Sequence, residues 1–245
     1  MIQINHMTAI LVKDIKDVIR NIQVLILFII YPAVAFIMTQ SIGAEKIFFI
    51  GVFATMHFAF TPIVVSASMV AEEKEKNTLR VLRMSGISSL EFFLSTAVFV
   101  VVLDCLTGGS FIFMSGESSI NVGLFYSAAI FGSVISVLIG MCVGTYSKSP
   151  SATNGLAVPL GMLFSFLPML SYFNKSLESV SKYLFGQQIQ YLIGGQKWTA
   201  EAVIICSINF IIVAGIYILL YRRARRKPAV SYYLFQVLLW YGTQV

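Results

Sequence analysis

Apolar positions in this chain come in long, nearly uncharged runs separated by short polar connections. Six runs reach or approach the roughly 20 residues a helix needs to cross about 30 Å of hydrocarbon; they lie at about 22–40, 47–71, 91–114, 122–146, 153–173 and 199–221. The alternation over about ten residues that marks a membrane β-barrel strand is absent. The pattern predicts an all-α integral membrane protein with six transmembrane helices. Ahead of the first run, Ile4, Met7, Leu11, Ile15, Val18 and Ile22 recur at three- and four-residue spacing, with Lys13, Asp14, Lys16, Asp17 and Arg20 between them. That spacing predicts an amphipathic helix over 2–20 lying in the membrane interface. A cleavable signal peptide would need a continuous apolar core directly after its basic residues.

Two further segments are apolar without being long enough to span. Residues 174–197 hold Leu177, Val180, Tyr183, Leu184, Phe185, Ile189, Tyr191, Leu192 and Ile193, broken at Gly186 and Gly194–Gly195. They predict two short helices that re-enter the outer leaflet and cap the bundle, because non-helical backbone at membrane depth must be shielded by protein. After Pro228, residues 228–245 carry Tyr232, Phe235, Trp240 and Tyr241, an aromatic set suited to headgroup depth. Within the spans, Gly132, Ser136, Gly140 and Gly144, then Ala157, Gly161 and Ser165, form stripes of small residues that let helix backbones approach closely. Such stripes serve packing within one chain or between two. Pro32, Pro62, Pro159 and Pro168 lie where they would kink or end helices.

Composition removes the competing classes. Hydrophobic residues make up 58% and charged residues 11%, with a mean hydropathy of +0.84, whereas soluble domains carry about 25% charged residues. A soluble globule would expose large apolar patches, and a disordered chain would need far less hydrophobicity and more charge. Cys105, Cys142 and Cys206 are scattered through apolar runs, which implies neither a disulfide framework nor a metal site. The net charge of +6 is explained by position. With the N-terminus inside, only Lys46, Lys175, Lys182 and Lys197 fall outside, and the other basic residues are cytoplasmic. The orientation is therefore N-in and C-in, and the basic excess implies contact with anionic membrane lipids, with no nucleic acid as partner.

Catalytic and phosphate-binding devices are missing from the sequence. There is no GxxxxGK[ST] loop, so the chain has no ATP site of that kind, and no catalytic residues are expected. An EExxxR-like protease string beginning at Glu72-Glu73 fails at Asn77. His57 and Asp104 are the ionisable groups deepest in the apolar runs. They form a pair across adjacent helices, or each is satisfied by hydroxyl and backbone groups, or they serve as a proton relay or substrate contact. Together with Met56, Phe60, Met162 and Phe166 they make a candidate translocation path, since methionine and aromatic surfaces adapt to varied amphiphiles. Lipid-facing packing is the alternative use of those apolar side chains.

The most informative connection is 72–88, between the second and third spans. Its acidic and basic residues alternate, and Thr78, Leu79 and Leu82 follow at helical spacing. A short charged helix protruding there would dock into a groove on a soluble partner. Glu73, Lys74, Glu75, Lys76, Thr78, Leu79 and Leu82 resemble the first cytoplasmic loop of the membrane subunits of type-2 ABC transporters, the ABC-2 permeases. Asn77 stands where that family has glycine, and asparagine tolerates left-handed backbone in the same way. Arg80 replaces the usual glutamate. The resemblance covers about 2–227 and extends to the plan of elbow helix, six spans, coupling loop and outer hairpin.

The resemblance implies a coupling helix at 72–88, with Glu72, Glu73, Glu75, Thr78, Leu79, Leu82, Arg83 and Ser85 meeting a separate ATP-binding subunit. Two copies of that subunit would hold ATP and Mg²⁺, and a second copy of this chain or a close relative would complete the path. Export of an amphiphilic peptide, drug or lipid across a bacterial plasma membrane is the implied activity. The residues alone leave two other readings: an ion-coupled secondary transporter using His57 and Asp104, and an immunity or sensor protein without flux.

Overall fold

The computed structural model describes residues 4–41, 46–76, 78, 84–116 and 120–226. Ten helices are described: α1 (Ile4–Arg20), α2 (Ile22–Ser41), α3 (Lys46–Glu75), α4 (Ser89–Gly108), α5 (Ser110–Ser115), α6 (Val122–Tyr146), α7 (Pro150–Phe173), α8 (Lys175–Ser181), α9 (Phe185–Ile193) and α10 (Ala200–Arg226). No strand occurs among the described residues. Six segments are long and apolar enough to cross a membrane: α2, α3, α4 with α5, α6, α7 and α10. The tail 228–245 lies outside the described residues.

Helix α3 is the axis of the bundle, packing most extensively against α6 and α7. Its apolar window is 78% buried, against 11% for α10, so α3 meets protein nearly all round while α10 leaves most of its apolar surface for lipid. The small-residue stripe on α6 faces α3 in the same chain. A Cβ on Gly140 would lie 2.0 Å from Ser66 Oγ and 2.3 Å from the Ile63 carbonyl oxygen. At Gly144 the nearest atom would be the Ala67 carbonyl oxygen at 2.7 Å. On α7, Gly161 receives the Phe60 ring. Both stripes therefore contribute to packing within one chain.

The prolines sit inside helices that continue through them. A proline lacks the N–H that would meet the carbonyl four residues back, and in lipid that oxygen must find another donor. The Phe58 oxygen, freed by Pro62, accepts the Ser136 hydroxyl at 3.0 Å. The Phe164 oxygen, freed by Pro168, faces Gly186 of α9 so closely that a Cβ there would sit 2.2 Å from it.

One expectation about local structure is corrected, the place of Asp14 on the polar outer face of α1. On α1, the buried side chains are Ile10, Asp14 and Val18, at 1%, 1% and 4% exposure, while Ile15 and Ile19 are exposed. Asp14 turns inward because the Thr96 hydroxyl of α4 donates to its Oδ2 at 3.1 Å, which no reading of α1 alone reveals. Of the expected coupling helix over 72–88, residues 77 and 79–83 lie outside the described residues. Helix α3 runs on through Glu72, Glu73 and Glu75, and Ser88 is the N-cap of α4 in a capping box with Glu91. In that box the Ser88 hydroxyl accepts the Glu91 N–H, and the Glu91 carboxylate accepts the Ser88 N–H. Thr78 is half-buried, and Ser85 is exposed in the turn at Gly86, whose φ of +82° suits glycine. Leu79, Leu82 and Arg83 lie outside the described residues.

Candidate functional site

The charged end of α3 is held by the chain's own side chains. Glu73, only 6% exposed, takes a hydrogen bond from the Lys13 ammonium of α1. Lys13 also bonds Asp17 at 2.9 Å and lies 3.8 Å from Asp14 Oδ1. Asn21 caps the start of α2 through its Oδ1 and donates from Nδ2 to Glu72 at 3.4 Å. Lys74 points the other way, donating to the carbonyls of Gly144, Thr145 and Ser147 at 3.0, 2.8 and 2.5 Å. A cation on the last carbonyls of α6 satisfies them and complements the helix dipole. Glu75 and Lys76 remain exposed. A displacement of this end of α3 therefore pulls on α1, α2 and α6 together.

A cleft of about 490 Å³ separates α1 from the end of α3 and the start of α2, with Lys13, Asp14, Glu72 and Glu73 in its walls. Burial pushes the Asp14 carboxyl up to about 6, against the opposing pull of Lys13 and the Thr96 hydroxyl. Burial lowers the Lys13 ammonium, but its bonds to Glu73 and Asp17 outweigh that and leave it above its ordinary value. The raised Asp14 value means that the folded chain holds this proton more tightly than the unfolded chain, whose value is 3.8. The contribution to stability is therefore greatest below about pH 4 and declines as the pH rises to about 6. Asp14→Asn removes that decline, so the melting temperature of the variant should gain on the wild type between about pH 4 and pH 6. A difference that stays constant over that range would mean that the carboxylate is solvated in the folded chain.

His57 of α3 and Asp104 of α4, both 0% exposed, meet in the middle of the bundle. The His57 Nε2 lies 3.2 Å from Asp104 Oδ1, 3.2 Å from the Asp104 carbonyl oxygen and 3.0 Å from Thr107 Oγ1. The Ser133 hydroxyl of α6 donates to the other carboxylate oxygen. Rings of Phe28, Tyr31, Phe58 and Phe111 stand with their centroids 5.3–6.5 Å from the imidazole. The pair and the hydroxyl contacts expected as alternatives are both present, in one cluster joining α3, α4 and α6. Met56 and Phe60 are buried, at 3% and 8%, whereas Met162 and Phe166 are exposed, at 48% and 38%. The six residues grouped as a path thus divide between the interior and the outward face of α7.

A family model described as ABC-2 family transporter protein matches residues 40–193. The chain belongs to the ABC-2 family of transporter proteins. The matched stretch contains the charged end of α3, the His57–Asp104 cluster and the α8–α9 pair. An ABC-2 permease is a multi-pass membrane component of a transporter, and the family implies an ABC ATP-binding partner. Comparison with curated proteins gave no match. The Lys13–Glu73 contact and the Lys74 cap escaped the sequence reading. The one signal for them was a run of both signs at the end of an apolar helix, where solvation alone would need only one.

Proposed function

We propose that this ABC-2 permease exports an amphiphilic substrate, a peptide, drug or lipid, using ATP hydrolysed on two separate ATP-binding subunits. Two copies of the chain, or this chain and a close relative, form the path. Both termini are cytoplasmic, α1 lies in the cytoplasmic interface, and α8–α9 re-enter the outer leaflet. The observation that carries this reading is the family match over the charged end of α3. The anchoring of that end on α1 and α6 supports it, because a push from outside the bundle needs a rigid element to receive it. Glu75, Thr78, Leu79, Leu82, Arg83 and Ser85 meet the ATP-binding subunit. Glu72 and Glu73 relay its movement through Asn21 and Lys13. Differential contact with the two nucleotide states of that subunit shifts the bundle between inward- and outward-open forms. Met162 and Phe166, exposed on α7, line the path between copies. ATP and Mg²⁺ stay on the partner.

Native mass spectrometry of the complex purified from its host in mild detergent is the direct test. Two copies of an ATP-binding protein on a pair of these chains are expected, and a stable pair without such a partner under all nucleotide conditions would overturn the reading. Leu79→Asp places a charge in the apolar docking contact. It should reduce export at least about tenfold, a loss of roughly 1.4 kcal/mol in coupling, while insertion and ATP hydrolysis persist. Undiminished export by Leu79→Asp would remove Leu79 from the contact.

A further inference from the structure

A second cleft, of about 430 Å³, opens at the far end of α3 from the Glu72–Glu73 cluster. Its walls come from the first turns of α3, the end of α7 and the α8–α9 pair. Phe48, Tyr172 and Tyr191 supply aromatic surface, and Phe48 and Tyr172 stand with centroids 4.5 Å apart. The one acidic wall residue is Glu178, half-buried, whose Oε1 accepts the Tyr191 hydroxyl at 2.8 Å. Neither lysine nor arginine lines the cleft. Among the described residues no ion pair engages Glu178, so no lysine or arginine holds its carboxylate at contact distance. Gln187, 3% exposed, accepts the Ser171 and Ser181 hydroxyls at 2.6 and 2.9 Å and donates to Gln190 at 3.3 Å. That network fixes the polar floor beneath the carboxylate.

We infer that this cleft binds the ammonium group of an amphiphile. Aromatic faces attract organic cations through their ring quadrupoles, and a single unpaired carboxylate adds a Coulombic attraction that an anion would meet as repulsion. The volume is in the range of small-ligand sites and too wide for a bare ion. No group of three metal-ligating side chains occurs among the described residues. Burial and the Glu178 carboxylate push the Tyr191 phenol up to about 12, so it stays protonated and keeps its bond to Glu178. The ammonium belongs either to an exported amphiphile or to a lipid headgroup. The first source rests on the exporter reading above, and the second does not.

Choline and its uncharged twin 3,3-dimethylbutanol are the probes, titrated by saturation-transfer NMR against the complex in maltoside detergent, which carries no ammonium. Glu178→Gln keeps an acceptor for Tyr191 and removes only the charge. Choline should bind more tightly than its twin and lose affinity roughly tenfold or more in Glu178→Gln, with the twin unaffected. Equal binding of the two probes, or choline binding untouched by Glu178→Gln, overturns the site. If Glu178→Gln also lowers export of dodecyltrimethylammonium from vesicles, the ligand is cargo. If it instead strips co-purifying phosphatidylethanolamine and leaves export unchanged, the ligand is a headgroup, and either result sustains the ammonium site. Charge-dependent choline binding in a complex without ATP-driven export would sink the exporter reading and leave the cleft standing.

Discussion

Gly140→Val should leave the chain unable to hold its native packing. The added Cβ would lie 2.3 Å from the Ile63 carbonyl oxygen and 2.0 Å from Ser66 Oγ. A serine side chain can rotate away, but a backbone oxygen in the middle of the most buried helix moves only if α3 moves. Overpacking of a well-packed interior costs about 1–3 kcal/mol when side chains can yield, so a backbone collision at the α3–α6 contact should cost at least about 3 kcal/mol. Fluorescence-detected size exclusion in mild detergent should show aggregate in place of the folded peak. Gly215→Ala is the control. A Cβ there meets nothing within 4 Å, and the change should stabilise the helix by about 0.5–1 kcal/mol. A folded, normally melting Gly140→Val would mean that α3 and α6 pack more loosely in the membrane than their small residues permit.

Asp104→Ala should cost nearly as much by a different route. Leaving a buried polar group without its partner costs about 1–3 kcal/mol. Here the Ser133 hydroxyl loses its acceptor and His57 loses the neighbouring carboxylate while keeping the Asp104 carbonyl and Thr107, inside a ring of aromatic side chains that cannot hydrate the freed groups. The melting temperature should fall by several degrees. Adding His57→Phe should restore much of the loss, because exchanging both members of a buried pair for apolar groups is often neutral or stabilising. A single variant that melts like the wild type would mean that water reaches the cluster. A double variant that melts normally but exports poorly would show that the pair serves transport as well as packing.

How much could be read beforehand differs from element to element. The spans were legible because crossing a bilayer depends on local apolarity, which a run such as 122–146 carries by itself. The depth of His57 and Asp104 in adjacent spans was legible in the same way, and the structure adds that Thr107 and Ser133 complete their contacts. The inward face of α1 was not legible. By periodicity Asp14 belongs with Lys13, Lys16 and Asp17, and it is buried because Thr96, far along the chain, supplies a donor. Glu73 read as part of an exposed docking string, yet it is covered by Lys13, whereas Glu75 and Lys76 beside it are exposed. The prolines read as kinks or stops. Ser136 supplies the donor that Pro62 takes away, so α3 continues as one helix.

From the sequence alone came the membrane as solvent, the number and place of the spans, and the two short helices between the last two of them, and the resemblance of the 72–88 motif named the family. The first three follow from composition and spacing within a few helical turns. The tertiary structure decided which polar groups face one another: Lys13 with Glu73, Lys74 with the end of α6, and Glu178 with Tyr191 beside an aromatic wall. In lipid a buried polar group left without a partner is costly, but local sequence does not say which of several within reach it will meet. That choice is made by how α1, α6 and the α8–α9 pair settle against α3, and it places the charged relay at one end of that helix and the acidic aromatic cleft at the other.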